Sequence, residues 1–392
     1  MPAGRATLTL PYLTRIECHR ATRFRQCRRL VTAAALMALT TSAFPQAPKR
    51  STIVLNALQP HSMRTSLHNS YAEQTATPAS RAEDKPQDVC LAKTSSAAAS
   101  IAACSSFIRT SDRRWDLLGP AFSRRAEAYR LQGDTDAAIA DFDRAIKLDP
   151  RKIDNFLGRG LVYLDKRDTD RAIRDFNQAI NLNPRHPAAI LNRAQAYRAA
   201  GNLKRAILEY GVLIQINPRD TQAYYHRGLA ARELREFDRA LDDFNRMIQI
   251  DRDNVLGYYS RGLVLYDMQQ YDRAIRELDH AVNTKPNYAP AFNLRGLAYA
   301  AIGETRRSIQ DFDQAIQLDG SFAKAFLNRG NIYQSTRKYD RALADYTAAI
   351  ERNPKDAYSF YSRGLTMRAL GLEEEAKMDI AKAKEIEPGI GP

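Results

Sequence analysis

From Gly119 onward the apolar positions recur every 34 residues without an insertion, in eight copies that start at Gly119, Ile153, Pro187, Thr221, Val255, Ala289, Ala323 and Ala357. Counted from those starts, position 4 is aromatic or large and apolar in every copy, from Phe122 and Phe156 to Phe326 and Phe360. Position 8 is Gly or Ala, as in Ala126, Gly160, Gly228 and Gly364. A second small residue stands at position 20, as in Ala138, Ala172, Ala206 and Ala240, with an aromatic residue usually at 24 and Pro usually at 32. The spacing 4, 8, 11 puts one apolar stripe on a first helix, and 20, 24, 27 puts another on a second. Small residues at 8 and 20 let the two approach closely. Gly or a polar residue near position 15, as in Gly133, Gly201, Gly303 and Gly371, ends the first helix, and Pro at 32 cannot continue the second. Each copy is therefore a helical hairpin that cannot bury its own apolar faces. Stacking hairpins does so, which predicts an all-α solenoid over residues 119–390.

Two polar columns run through the repeat. Position 7 is Arg in all eight copies: Arg125, Arg159, Arg193, Arg227, Arg261, Arg295, Arg329 and Arg363. Position 23 is acidic in all eight: Asp141, Asp175, Glu209, Asp243, Glu277, Asp311, Asp345 and Asp379. A ligand presents different groups along its length, whereas a lattice contact needs the same groups each time. Unvarying recurrence thus points to structural ion pairs, formed within a hairpin or across a junction. The alternative, a row of arginines gripping a polyanion, is weakened by the carboxylates that travel with them.

Charge changes the picture only at the N-terminus. The chain of 392 residues carries a formal net charge of +14, but residues 1–118 hold 16 Lys+Arg against 7 Asp+Glu, and the repeats are close to balanced, with 43 against 38. A nucleic-acid partner is therefore not expected. The leader has seven Arg before Leu30, an apolar run from Leu30 to Phe44 and the small residues Thr41-Ser42-Ala43. That order predicts a signal peptide over residues 1–43 and export to a periplasm or the medium; the run is short for a membrane span. A misread leader on a cytoplasmic or organellar protein is the competing reading. Residues 44–86 lack periodicity and contain scattered Pro, Ser, Thr and Gln, which predicts a flexible linker.

After such cleavage two cysteines remain, Cys90 and Cys104. A pair 14 residues apart suits one disulfide in an oxidising compartment; two unrelated buried thiols are the alternative. Ala99–Ile108 aligns with Ala137–Ile146, so residues 87–118 are read as a degenerate capping hairpin in which Cys104 takes the place of Phe142. At the other end the charged second helix of the last copy can face water, before a two-residue tail at 391–392.

The 34-residue register, the small residues at 8 and 20 and Pro at 32 resemble the tetratricopeptide repeat family. The resemblance covers residues 119–390 and implies a right-handed α-solenoid of eight helix-turn-helix units. Ala231, Leu265 and Met367 depart from the usual Tyr at position 11, Ser308 from Ala at 20, and Arg252 and Gly320 from Pro at 32; these are expected to loosen junctions without breaking the fold. The resemblance also implies that positions 2, 5, 9, 12 and 13 of the first helix line a concave peptide groove, with 5, 9 and 12 carrying its candidate anchors. Here those positions supply Leu157, Leu161, Leu191, Tyr225, Leu229, Tyr259, Leu263, Asn293, Leu297, Leu327, Asn331, Tyr361 and Leu365, with Arg232 and Tyr266 at 12. A groove so lined suits an extended or helical peptide with apolar side chains. Alternatively, Leu at 5 and 9 thickens the core between neighbouring first helices. The carboxylate clamp of the chaperone-binding branch is absent: Asn192 and Asn328 stand at position 6, but no copy has Lys at 5.

No metal site, cofactor loop or nucleophile motif accompanies the repeat; His186, His226 and His280 are scattered without ligand spacing. The sequence therefore predicts a non-enzymatic scaffold or adaptor that binds a partner protein or peptide, without a cofactor. A binder of cell-envelope polysaccharide and a cytosolic or organellar assembly factor are the alternatives.

Overall fold

The computed structural model describes residues 86–92, 96–110 and 115–391. The expected signal peptide and nearly all of the expected linker lie outside the described residues. Among those described, every regular element is a helix. A short helix α1 (Pro86–Leu91) and α2 (Ala97–Thr110) form a hairpin. Eight longer hairpins follow: α3/α4 (Trp115–Gln132, Thr135–Leu148), α5/α6 (Ile153–Asp165, Thr169–Leu182), α7/α8 (Pro187–Ala199, Leu203–Ile216) and α9/α10 (Thr221–Glu233, Phe237–Ile250), then α11/α12 (Val255–Asp267, Tyr271–Thr284), α13/α14 (Ala289–Ala301, Thr305–Leu318), α15/α16 (Ala323–Ser335, Tyr339–Arg352) and α17/α18 (Ala357–Ala369, Glu373–Ile386). Each helix packs on its hairpin partner and on the next hairpin, giving a solenoid of helical hairpins.

The period determines where the helices stop. Position 15 adopts positive φ in every copy: Gly133, Gly201, Gly303 and Gly371, but also Arg167, Arg235, Gln269 and Arg337, at φ 58° to 62°. Glycine takes this left-handed conformation without steric cost, whereas the other four carry a Cβ into it. The following second helices of copies one to three are capped by Asp134, Asp168 and Asn202, whose side chains accept from the backbone N–H three residues on. The residue at position 31 leaves the helical region, as a following proline favours. Where Arg252 and Gly320 replace that proline, Asp251 and Asp319 keep the same geometry, both with φ −141°.

The core is a column of position 24 side chains, rings in all copies but five and eight, where Leu278 and Ile380 stand, seated on the small residue at position 8. A Cβ added at Gly160, Gly228, Gly296 or Gly330 would stand 2.5 to 2.8 Å from the ring of Phe176, Phe244, Phe312 or Tyr346. Copies one and three carry Ala126 and Ala194 instead, and there the ring meets the next copy's position 6. Phe142 would stand 2.2 Å from a Cβ at Gly158, and Tyr210 stacks on His226 at 5.6 Å.

The two ends differ. At the N-terminal end the Cys90 and Cys104 sulfurs lie at disulfide distance, 2.16 Å, in a small core with Phe107 and Ala121. The first helix of copy one begins at Trp115, four residues before the repeat starts, with Pro120 inside it. At the C-terminal end Ile390 folds onto Ala357 and Ala383.

Candidate functional site

The eight arginines of position 7 and the acids of position 23 meet within each hairpin. Arg159 donates from Nη2 and Nε to the two carboxylate oxygens of Asp175, at 2.6 and 2.9 Å. The same fork joins Arg125 to Asp141, Arg295 to Asp311, Arg329 to Asp345 and Arg363 to Asp379. Arg193 reaches Glu209, Arg227 reaches Asp243 and Arg261 reaches Glu277. Nη1 then crosses to position 25 of the preceding copy: Arg159 to Asp143 at 2.6 Å, Arg193 to Asn177 at 2.8 Å, Arg261 to Asn245 at 2.8 Å and Arg295 to Asp279 at 2.8 Å. Each such arginine therefore ties three helices. Arg125 makes the equivalent bond to Ser105 on α2, at 2.9 Å, which fits the alignment of α2 with the second helices. At the junction of copies three and four, position 25 is Gly211, and the hydrogen bonds of Arg227 end on Asp243. Burial pushes the carboxyl pKa of Asp243 and Asp311 upward despite the arginine at each. Against that burial, the same carboxylates raise the guanidinium pKa of Arg227 and Arg295, and removing one partner of such a pair would leave an uncompensated buried charge.

Positions 5 and 9 share one face of the first helix. Contacts between successive first helices run along it: Ser123 donates to Asn155 at 2.5 Å, and Asn328 to Asn293 at 2.9 Å. The face is open at its two ends and closed in its middle. Leu157, Leu161 and Leu191 in copies two and three, and Asn293, Leu297, Leu327, Tyr361 and Leu365 in copies six to eight, are half-buried, and Asn331 is exposed. Tyr225, Leu229, Tyr259 and Leu263 in copies four and five keep only 8%, 5%, 6% and 3% of their surface.

These four side chains, expected from the sequence as groove anchors, are packed. The reason is local. Tyr288, from the turn before copy six, meets Tyr259 edge-on at 5.4 Å, and Tyr225 lies against His226 at 5.3 Å and Phe244 at 6.5 Å. Burial raises the phenol pKa of Tyr225, Tyr259 and Tyr288. Tyr266 remains half-buried and packs on Tyr271 at 5.4 Å. The tyrosines at 5 and the leucines at 9 thus act as core in the middle of the stack.

Position 12 forms a second ladder that the sequence reading missed. Arg130 pairs with Asp165 at 3.1 Å and Arg198 with Glu233 at 2.7 Å, and Arg232, itself 7% exposed, pairs with Asp267. The signal is an Arg at 12 followed 35 residues later by an acid at 13 of the next copy. Arg232 is consequently engaged inside the chain. Asn331 is also engaged, at 2.8 Å from the Tyr346 hydroxyl. Among the described residues no group of three or more His, Cys, Asp and Glu is placed to hold a metal, and no helix is long and apolar enough to cross a membrane.

Family models described as tetratricopeptide repeat match residues 120–152, 157–219, 209–255, 289–322 and 323–356, and one described as TPR repeat matches 262–303. A tetratricopeptide repeat protein from Parabacteroides merdae is 19% identical, with a TM-score of 0.54, over 64% of this chain and 98% of that one. At that identity the likeness is one of fold. MamA from Desulfovibrio magneticus is 23% identical over 43% of this chain and 95% of its own, with a TM-score of 0.38. YrrB, described as a TPR protein with an unusual peptide-binding site, is 24% identical over 48% and 97%, with a TM-score of 0.36. No curated protein matches the sequence.

Proposed function

The chain belongs to the tetratricopeptide repeat family, and on that premise we propose that it is a non-enzymatic scaffold holding a partner peptide along the open parts of the position 5 and 9 face. The observation that carries this is the contrast along one face: the same positions are sealed in copies four and five and half-open in copies two, three and six to eight. Half-open apolar side chains on rigid helices give a peptide its anchors without a cost of ordering the receptor. Copies six to eight offer the longer stretch, with Leu297, Leu327, Tyr361 and Leu365 in register. The leader composition supports export, so the partner is sought among envelope or secreted proteins.

The test is a display selection of random extended peptides on the full chain. The wild type should enrich sequences with aromatic or large aliphatic residues, and Leu327→Ala with Tyr361→Ala should lose that enrichment while circular dichroism stays helical. Enrichment that survives the double substitution would sink the assignment.

A further inference from the structure

In copies two, three, six and seven the arginine at position 19 lies over the tyrosine at position 11. Arg171 stands 4.6 Å from the ring centre of Tyr163, Arg205 5.5 Å from Tyr197, Arg307 5.6 Å from Tyr299 and Arg341 5.7 Å from Tyr333. In copies six and seven the arginine at position 7 flanks the same ring, Arg295 at 5.9 Å and Arg329 at 6.0 Å. The position 11 phenol is thus flanked by two guanidiniums in copies six and seven and by one in copies two and three, an arrangement that cation–π attraction favours.

Copy five keeps both arginines, Arg261 and Arg273, but has Leu265 where the tyrosine would stand. A half-open pocket of about 140 Å³ lies there, lined by Leu241, Asn245, Arg261, Leu265, Arg273 and Glu277. Its place is that of the missing ring. The cluster around Tyr163 takes in Ile139, at position 21 of the preceding copy, and Leu241 is the position 21 residue that precedes copy five. We infer that this cavity binds a phenol ring brought by a ligand, in the seat that sister copies fill with their own tyrosine.

The chemistry of the lining fits that occupant. Leu265, 2% exposed, and Leu241 give an apolar floor and wall. The volume is close to the ~150 Å³ that holds a benzene ring in an enclosed apolar cavity, although this pocket is half-open and four of its six lining residues are polar or charged. Arg261 is held in place by Glu277 and by Asn245, the latter at 2.8 Å, so one guanidinium is fixed before the ligand arrives. Arg273 is exposed and bonds to the side chain of Gln270, one turn away, so it can close over an entering ring. None of the lining residues is among the position 5 and 9 side chains, so this site stands or falls apart from the peptide face.

The experiment uses the full chain and 4-methylphenol, followed by saturation-transfer NMR. The wild type should bind. Leu265→Tyr should abolish the signal and raise the melting temperature, because the chain's own ring then fills the seat. Arg273→Ala, an exposed change that leaves the fold intact, should weaken binding about three-fold, the worth of one exposed cation–π contact. N-acetyltyrosinamide identifies the source of the ring: affinity equal to that of 4-methylphenol assigns it to a peptide side chain, and exclusion assigns it to a free phenol. Absence of saturation in the wild type, or binding unchanged in Leu265→Tyr, would overturn the inference.

Discussion

His226 is the residue at which the repeat's rules conflict. Position 6 tolerates Arg, Gly, Asn, Ser and Leu in the other copies, but in copy four it receives the ring of Tyr210, displaced because Ala194 replaces glycine at position 8. The residue as a whole is half-buried, but its Nδ1 is shut off from water without a partner, and that burial lowers the imidazole pKa to about 4, with Arg198 acting in the same direction. The unfolded imidazole takes its proton near 6.5, so between 6.5 and about 4 the unfolded state binds more protons than the folded one. Stability is therefore full above that window and falls as pH drops through it, by on the order of 3 kcal/mol for this group. Urea unfolding at pH 7 and 4.5 should show a loss in the wild type that is smaller in His226→Asn; equal losses in both would contradict the assignment. The sequence shows His226 plainly but not its burial, because the cause sits in two other residues of a different copy. Tyr288 was illegible for a similar reason. It precedes the helix start, outside the stripe pattern, yet it closes the face over Tyr259.

At the scale of the element, most of the architecture was readable: the stripes, the small residues and the proline gave the helices and their pairing. Their recurrence also identified the Arg and acid columns as structural. It left open whether the pairs lie within or between hairpins, since that depends on helix rotation; the structure puts the acid in the same hairpin and a further acceptor in the one before. The stop at position 15 was legible where it is glycine and hidden where it is Arg or Gln. Those four sites predict an asymmetry. Arg337, at φ 58° and exposed, should gain about 0.5–1 kcal/mol when replaced by Gly, because relief of the left-handed penalty exceeds the added chain entropy. Gly228→Ala should instead cost about 1–3 kcal/mol, since its new Cβ would stand 2.7 Å from the Phe244 ring. Denaturation midpoints that move in the opposite directions would contradict this account of the turn and of the column of rings.

For the whole molecule, the stacked hairpins and their polar ladders form the scaffold, and the proposed binding falls to the stretches of one face that the chain does not seal for itself. Composition could point to that face but not to its open parts, because openness depends on what neighbouring copies and turns place over it. The leader reading makes a separate prediction. Alkylation before and after reduction should find Cys90 and Cys104 blocked until reduced, in a chain whose mature N-terminus lies near Phe44. Free thiols and an intact leader would withdraw the export reading and leave the solenoid untouched. The middle of the face is core and its flanks are half-open. Tyrosine nitration of the folded chain, mapped by mass spectrometry with and without a selected peptide, distinguishes the two. Tyr361 should be modified and then protected by the peptide, while Tyr225 and Tyr259 stay unmodified in both. Modification of Tyr225 and Tyr259 that the peptide suppresses would show that the ligand sits on the middle of the face instead.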